Sequence, residues 1–190
     1  MPRKPRVEAP GAIHHVIARG NGGGRIVADD DDRQALVAAL GHASTRYGWR
    51  VQAYCLMDTH LHLVVETPEP TLGAGMRWLL GGYAYEFNQR HARRGHLFVG
   101  PFSSSRVGTE AYAIEVCAYV VLNPLRAALV HSPENWKWSS YRATAGLVAP
   151  PTFLESRLVP AILHVDRKRA QELYQQLVRD TAGRPRPGSG

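Results

Sequence analysis

No Cys-x-x-Cys pair occurs in the sequence. Its two cysteines, Cys55 and Cys117, stand far apart in apolar stretches, which excludes a zinc knuckle and a dithiol redox motif. Two buried, reduced thiols are the simplest reading. There is no run of ~18 apolar residues, the length a helix needs to cross a bilayer, and no apolar core behind the basic N-terminus, as a secretory signal requires. The stretch Gly20-Asn21-Gly22-Gly23-Gly24 lacks the Gly-Lys-Ser/Thr ending of a phosphate loop and reads as a flexible turn. No repeat of fixed period is present. Acidic side chains are outnumbered, 16 Asp and Glu against 23 Lys and Arg, for a net charge of +7. An excess of cations suits a polyanion, because neutralised phosphates release counterions; a solvated basic face has the same composition.

The chain of 190 residues suits one domain with a tail, large enough to fold without cross-links. Alternation and breakers predict strands over 12–19, 49–57 and 60–67, with Asp58-Thr59 as a tight connection. Helical spacing predicts helices over 33–47, after the acidic run Asp29–Asp32, over 71–94 and over 109–122. One or two short strands are expected near 97–107, a tryptophan-rich loop over 131–142, and short helices within 152–180. The order strand, helix, strand, strand, helix, strand is that of an α+β, ferredoxin-like split βαβ fold. Its sheet is expected to be antiparallel, with helices on one face and the other face open to carry a site. The expected organisation is a basic arm over 1–10, one domain over 11–148, a helical extension over 149–180 and a disordered tail over 181–190.

Residues two apart on a strand share a face. His60, His62, Val64 and Glu66 therefore fall on one side of their strand, and Leu61, Leu63 and Val65 on the other. The leucine side is expected to pack on helices, leaving two imidazoles side by side on the opposite face. Neutral imidazoles at this spacing suit one divalent ion; two polar residues on a solvated face are the plainer reading. Further on, Glu115, Tyr119 and Asn123 follow each other at helical spacing, with Tyr112 near the same row, and Pro124 ends the pattern. A tyrosine hydroxyl can attack a phosphodiester and become joined to it, helped by a metal since its ordinary pKa is about 10. A core tyrosine with a satisfied hydroxyl fits the same spacing.

Several segments, in order, carry a resemblance. They are His-His-Val-Ile-Ala-Arg-Gly-Asn (14–21), Tyr-Gly-Trp (47–49), Ala-Tyr-Cys-Leu-Met-Asp-Thr-His-Leu-His-Leu-Val-Val-Glu-Thr (53–67), Gly-His-Leu-Phe (95–98), Ala-Tyr-Val-Val-Leu-Asn-Pro-Leu-Arg-Ala-Ala-Leu-Val (118–130) and Trp-Ser-Ser-Tyr-Arg-Ala (138–143). Together the chain resembles the HUH single-tyrosine transposases, in particular the branch associated with repetitive extragenic palindromes (REP). The resemblance implies a DNA endonuclease and strand transferase with Tyr119 as nucleophile. His60 and His62 would be the metal-binding pair, Asn123 the third, amide-type ligand, and Mg2+ or Mn2+ the working ion. The substrate would be single-stranded DNA beside a palindromic hairpin, cut through a 5′-phosphotyrosine bond. A monomer in the bacterial cytoplasm, associated with the nucleoid and not with a membrane, is implied as well.

The sequence departs from that branch at Val99–Ser105, where a basic segment is expected and cations are missing, and at Asp58-Thr59, where Pro-Asn is expected. Candidate DNA contacts are Arg3, Lys4 and Arg6 on the arm, Arg19 and Asn21 after the first strand, Arg106 and Arg142. Trp136, Trp138 and Tyr141 suit either base stacking or a small core under a loop. A non-cleaving DNA-binding protein on the same scaffold is the alternative function. An RNA-binding sheet would carry aromatics where this one has histidines, and a hydrolase using activated water would leave Tyr119 structural.

Overall fold

The protein is described from a computed structural model, over residues 8–155 and 165–183; the arm cations Arg3, Lys4 and Arg6 and the tail from 184 lie outside the described residues. Four strands, β1 (Ala12–Arg19), β2 (Arg50–Leu56), β3 (His60–Thr67) and β4 (Ser103–Val107), form one antiparallel sheet in the order β2-β3-β1-β4. This is the order of a split βαβ fold, as expected from the sequence. Helix α1 (Asp30–Tyr47) starts where the Asp29 carboxylate accepts from the Asp32 amide, and stops at Gly48, whose φ of 65° is left-handed. The acidic run thus caps and enters the helix rather than preceding it. Helix α2 (Leu72–Arg90) is shorter than its pattern suggests. Helix α3 (Glu110–Val121) begins at Thr109, whose hydroxyl accepts from the Tyr112 amide. Two single turns follow, α4 (Asn123–Arg126) and α5 (Tyr141–Thr144), and then α6 (Arg167–Ala182), capped by Asp166.

One face of the sheet holds Val16, Ala18, Leu61, Leu63 and Val65, packed on Leu36 and Leu40 of α1 and on Met76, Leu79 and Tyr83 of α2. Burying each such leucine is favourable by roughly 1.5–3 kcal/mol. The helix comes so close here that a Cβ on Gly75 would lie 2.1 Å from the Trp49 ring, so glycine is the residue that lets α2 seat on the ring.

The second face is not open, contrary to the sequence expectation. Ala53, Cys55 and Val64 lie on it beneath Ile114, Cys117 and Val121 of α3 and Tyr174 and Val178 of α6, in a second core. The physical reason is that the His62 face also carries apolar side chains, which require cover. A bulge between Val51 and Ala53 shifts the alternation of β2, so that Val51 joins the first core and Ala53 the second. The outer edge of β2 is closed by later chain: the amides of Leu56, Ser140 and Glu155 bond to the carbonyls of Trp138, Tyr54 and Val51. Trp136 Nε1 donates to the Leu56 carbonyl at 3.0 Å, and Trp138 packs against the first core. These tryptophans therefore close the sheet. Among the described residues no helix is long and apolar enough to cross a membrane.

Candidate active site

At one end of the second face, polar side chains interrupt the apolar packing. Strand register sets Arg19 opposite His60, Ile17 opposite His62 and His15 opposite Val64. His60, His62 and His15 therefore share this face, while His14 and its partner Arg106 fall on the other. The His60 and His62 rings are 4.9 Å apart between centroids at an interplanar angle of 76°. His62 is 3% exposed and His15 8%; His60 is half-buried at the rim.

Each ring of the pair is held at the same atom. Thr59 Oγ1 lies 3.0 Å from His60 Nδ1. His15 Nε2 lies 3.1 Å from His62 Nδ1, with the two rings stacked at 5.4 Å and 18°. Thr59 is itself fixed by the turn. The Gly20 amide donates to the Thr59 carbonyl at 2.8 Å, the Ile26 amide to the Asp58 carbonyl at 2.7 Å, and Arg25 and Arg33 both pair with the Asp58 carboxylate. Burial holds the His60 pKa below its ordinary value, and the nearby Arg19 charge lowers it further. Both effects favour the neutral imidazole, the form that binds metal.

Helix α3 brings Tyr119 to the same place. Its ring stands edge-on to His15, 6.3 Å between centroids at 75°. Asn123 begins α4 rather than ending α3, and its Nδ2 reaches back to donate to the Tyr119 and Val120 carbonyls at 3.2 and 2.9 Å. The amide nitrogen is thereby committed, so Oδ1 is the atom Asn123 could offer to an ion. Arg126 Cζ lies 4.5 Å from the Tyr119 ring centroid. Among the described residues no group of three or more His, Cys, Asp and Glu side chains is arranged to hold a metal. An ion at the histidine pair would thus draw further ligands from an amide, water or substrate.

The predicted residues are gathered unequally. His60 and His62 lie side by side and Tyr119 reaches them through His15, with Asn123 one turn beyond Tyr119; Arg19 and the exposed Asn21 sit at the His60 end. Arg106 is exposed on β4 but lies on the α1 and α2 side of the sheet, away from the histidine face. Arg142 lines a separate cavity with Asp30, Arg33, Trp136 and Trp138. Sequence reasoning passed over Thr59, His15 and Arg126. His15 was accessible from the parity of its strand, once paired with β3. Arg126 completes the spacing Tyr119, Asn123, Arg126, hidden because Pro124 reads as a stop.

Residues 11–123, more than half of the chain, match the family model described as "Transposase IS200 like". Among solved structures, the chain is similar to a REP-associated tyrosine transposase bound to a REP hairpin. The two are 14% identical with a TM-score of 0.66, over 82% of this chain and 92% of that one, a likeness of fold. A candidate transposase from Deinococcus radiodurans R1 is 18% identical over 70% of this chain and 97% of that one, with a TM-score of 0.44. No curated protein matches the sequence significantly.

Proposed function

The chain belongs to the IS200-like transposase family, and on that premise we propose that it is a metal-dependent nuclease and strand transferase for single-stranded DNA, with Tyr119 as nucleophile. The observation that supports this most is the run of contacts from Tyr119 through His15 to His62 and His60. It links a phenol, through His15, to an imidazole pair whose Nδ1 atoms are both held by protein. That is how a ligating histidine is oriented to bind through its opposite nitrogen.

Two neutral imidazoles and the Asn123 amide oxygen fit a divalent ion with open positions, Mg2+ or Mn2+ by family resemblance. Such an ion, when bound, supplies positive charge to the scissile phosphate and its departing oxygen. The protein's own part is positional. His15 and Thr59 orient the metal-binding rings, and α3 presents the phenol against His15. Attack forms a bond from Tyr119 Oη to phosphorus, its phenol proton passing to solvent, and breaks the bond to the 3′ oxygen, which takes up a proton from solvent and leaves as a hydroxyl. The chain then carries a 5′-phosphotyrosine. A 3′-hydroxyl attacking that bond reverses the step and rejoins strands without ATP.

The solved structural neighbour is bound to a REP hairpin, and a single strand beside a hairpin is the substrate proposed here. Arg19 and Asn21 are placed to meet the reacting strand. Arg106 and Arg142, away from the site, would touch only flanking DNA, and the arm cations Arg3, Lys4 and Arg6 would add phosphate contacts. Because Tyr119 and the histidine pair meet within one chain, a monomer is sufficient. With such a hairpin as substrate, the protein would act at the bacterial nucleoid, in the cytoplasm.

The test is to incubate the protein with labelled hairpin oligonucleotides bearing single-stranded flanks and Mg2+ or Mn2+, then denature. A covalent adduct that Tyr119→Phe abolishes is the expected result. Cleavage persisting in Tyr119→Phe identifies a water nucleophile, and binding without cleavage in either metal identifies a non-cleaving DNA-binding protein.

A further inference from the structure

Arg126 has no part in the scheme above, yet its charge closely approaches the nucleophile. Its guanidinium carbon lies 4.5 Å from the centroid of the Tyr119 ring, well inside the range at which a cation is attracted to an aromatic face. The side chain is half-buried and anchored at its far end: Nη2 donates to the Thr181 carbonyl of α6 at 3.1 Å. Its backbone is fixed too, since the Arg126 amide donates to the Leu122 carbonyl at 3.0 Å across the break between α3 and α4. The Tyr119 ring thus has His15 at an edge and Arg126 over a face.

We propose that Arg126 is a positioning residue for the nucleophile: its guanidinium, held by the last turn of α6, fixes the plane of the Tyr119 ring and so the direction in which Oη meets the phosphate. The inference rests on the reading of Tyr119 as nucleophile. A phenol can rotate about its side-chain bonds, and attack needs the oxygen in line with the leaving group. Small misplacements of a reacting atom cost up to about a hundredfold in rate. Arg126 is suited to this task because a planar guanidinium can lie over a ring and still donate at its end, whereas an ammonium offers only a point charge.

The test measures single-turnover adduct formation on a suicide hairpin oligonucleotide with Mn2+, over a range of DNA concentrations. The chains compared are the parent, Arg126→Lys and Arg126→Leu, with thermal unfolding of each to establish folding. Expected is a fall in the rate at saturating DNA of roughly tenfold to a hundredfold in Arg126→Leu, an intermediate rate in Arg126→Lys, and an unchanged half-saturating concentration. An unchanged saturating rate in Arg126→Leu overturns the proposal. So does a raised half-saturating concentration at full rate, which makes Arg126 a DNA contact. Should Arg126→Leu fail to fold, Arg126→Lys decides by the same criteria. A second readout, the 13C resonance of the Tyr119 ring without DNA, is expected to move in both variants; an unmoved resonance overturns the ring contact. If the parent forms no adduct, the nucleophile reading fails, while the resonance still reports on the contact.

Discussion

The two faces of the sheet are built from the same strands and do different work. The face under α1 and α2 is apolar where β3 crosses it, with Leu61, Leu63 and Val65 fully packed. The face under α3 and α6 is apolar in its middle, at Ala53, Cys55 and Val64, and polar at one end, where His15, His62, His60 and Tyr119 meet. Alternation along one strand therefore separates a stabilising set of residues from a chemical one only about 3.3 Å of backbone apart. The comparison teaches that substitutions on neighbouring residues of β3 should have separable effects, stability on one side and chemistry on the other.

The largest effect expected from breaking that division is at His62. His62→Ala is predicted to abolish covalent adduct formation and to weaken Mn2+ binding by calorimetry, while the unfolding transition stays cooperative. Next is its neighbour on the opposite face. Leu63→Ala leaves a cavity in the first core and should lower stability by about 2–5 kcal/mol, read from the urea midpoint, with the adduct rate per folded molecule unchanged. If Leu63→Ala removes activity from fully folded protein, the two faces are not separable. A third, smaller effect sharpens the boundary. His15→Phe keeps a ring against His62 but removes the nitrogen bonded to its Nδ1, and should weaken Mn2+ binding roughly ten- to a hundredfold.

The smallest effect lies far from the site, at the joint of the two helices on the first face. Arg90, near the end of α2, pairs with Asp29, Asp31 and Asp32 at the start of α1. The Arg90 hydrogen bond, with help from the Asp32 amide, holds the Asp29 carboxyl down to about 2 from 3.8. A lowered carboxylate pKa contributes stability that is complete above about 3.8 and lost as pH falls through about 2. Because Asp29 and Arg90 are open to solvent, the contribution is small. Urea midpoints measured from pH 5 to 2 should show a slightly shallower acid loss in Arg90→Met than in the parent; identical slopes would remove this pair from the account.

Much of this architecture was legible along the chain. The strand pattern around His60 and His62, the helix carrying Tyr119 and the split βαβ order follow from local spacing and breakers. The boundary misjudgements were local as well: α1 starts at Asp30 rather than after the acidic run, and Asn123 opens a new turn instead of closing the pattern of α3. What could not be read was cover. The period of two assigned Val64 and His62 to one face, but nothing in that period says whether a helix lies over it. Nor does spacing show that Trp136 and Trp138 are occupied in closing the edge of β2.

By itself, then, the sequence determined which residues of β3 share a side, because side-chain alternation is a property of the strand alone, and it put Tyr119 and Asn123 one turn apart, because helical spacing is equally local. Only the tertiary structure decided that His15 stacks on His62, that Arg126 lies over Tyr119 and that α3 and α6 close the second face. Each of these joins elements distant along the chain, and which partner meets which is set by strand register and by where a second apolar core must be covered.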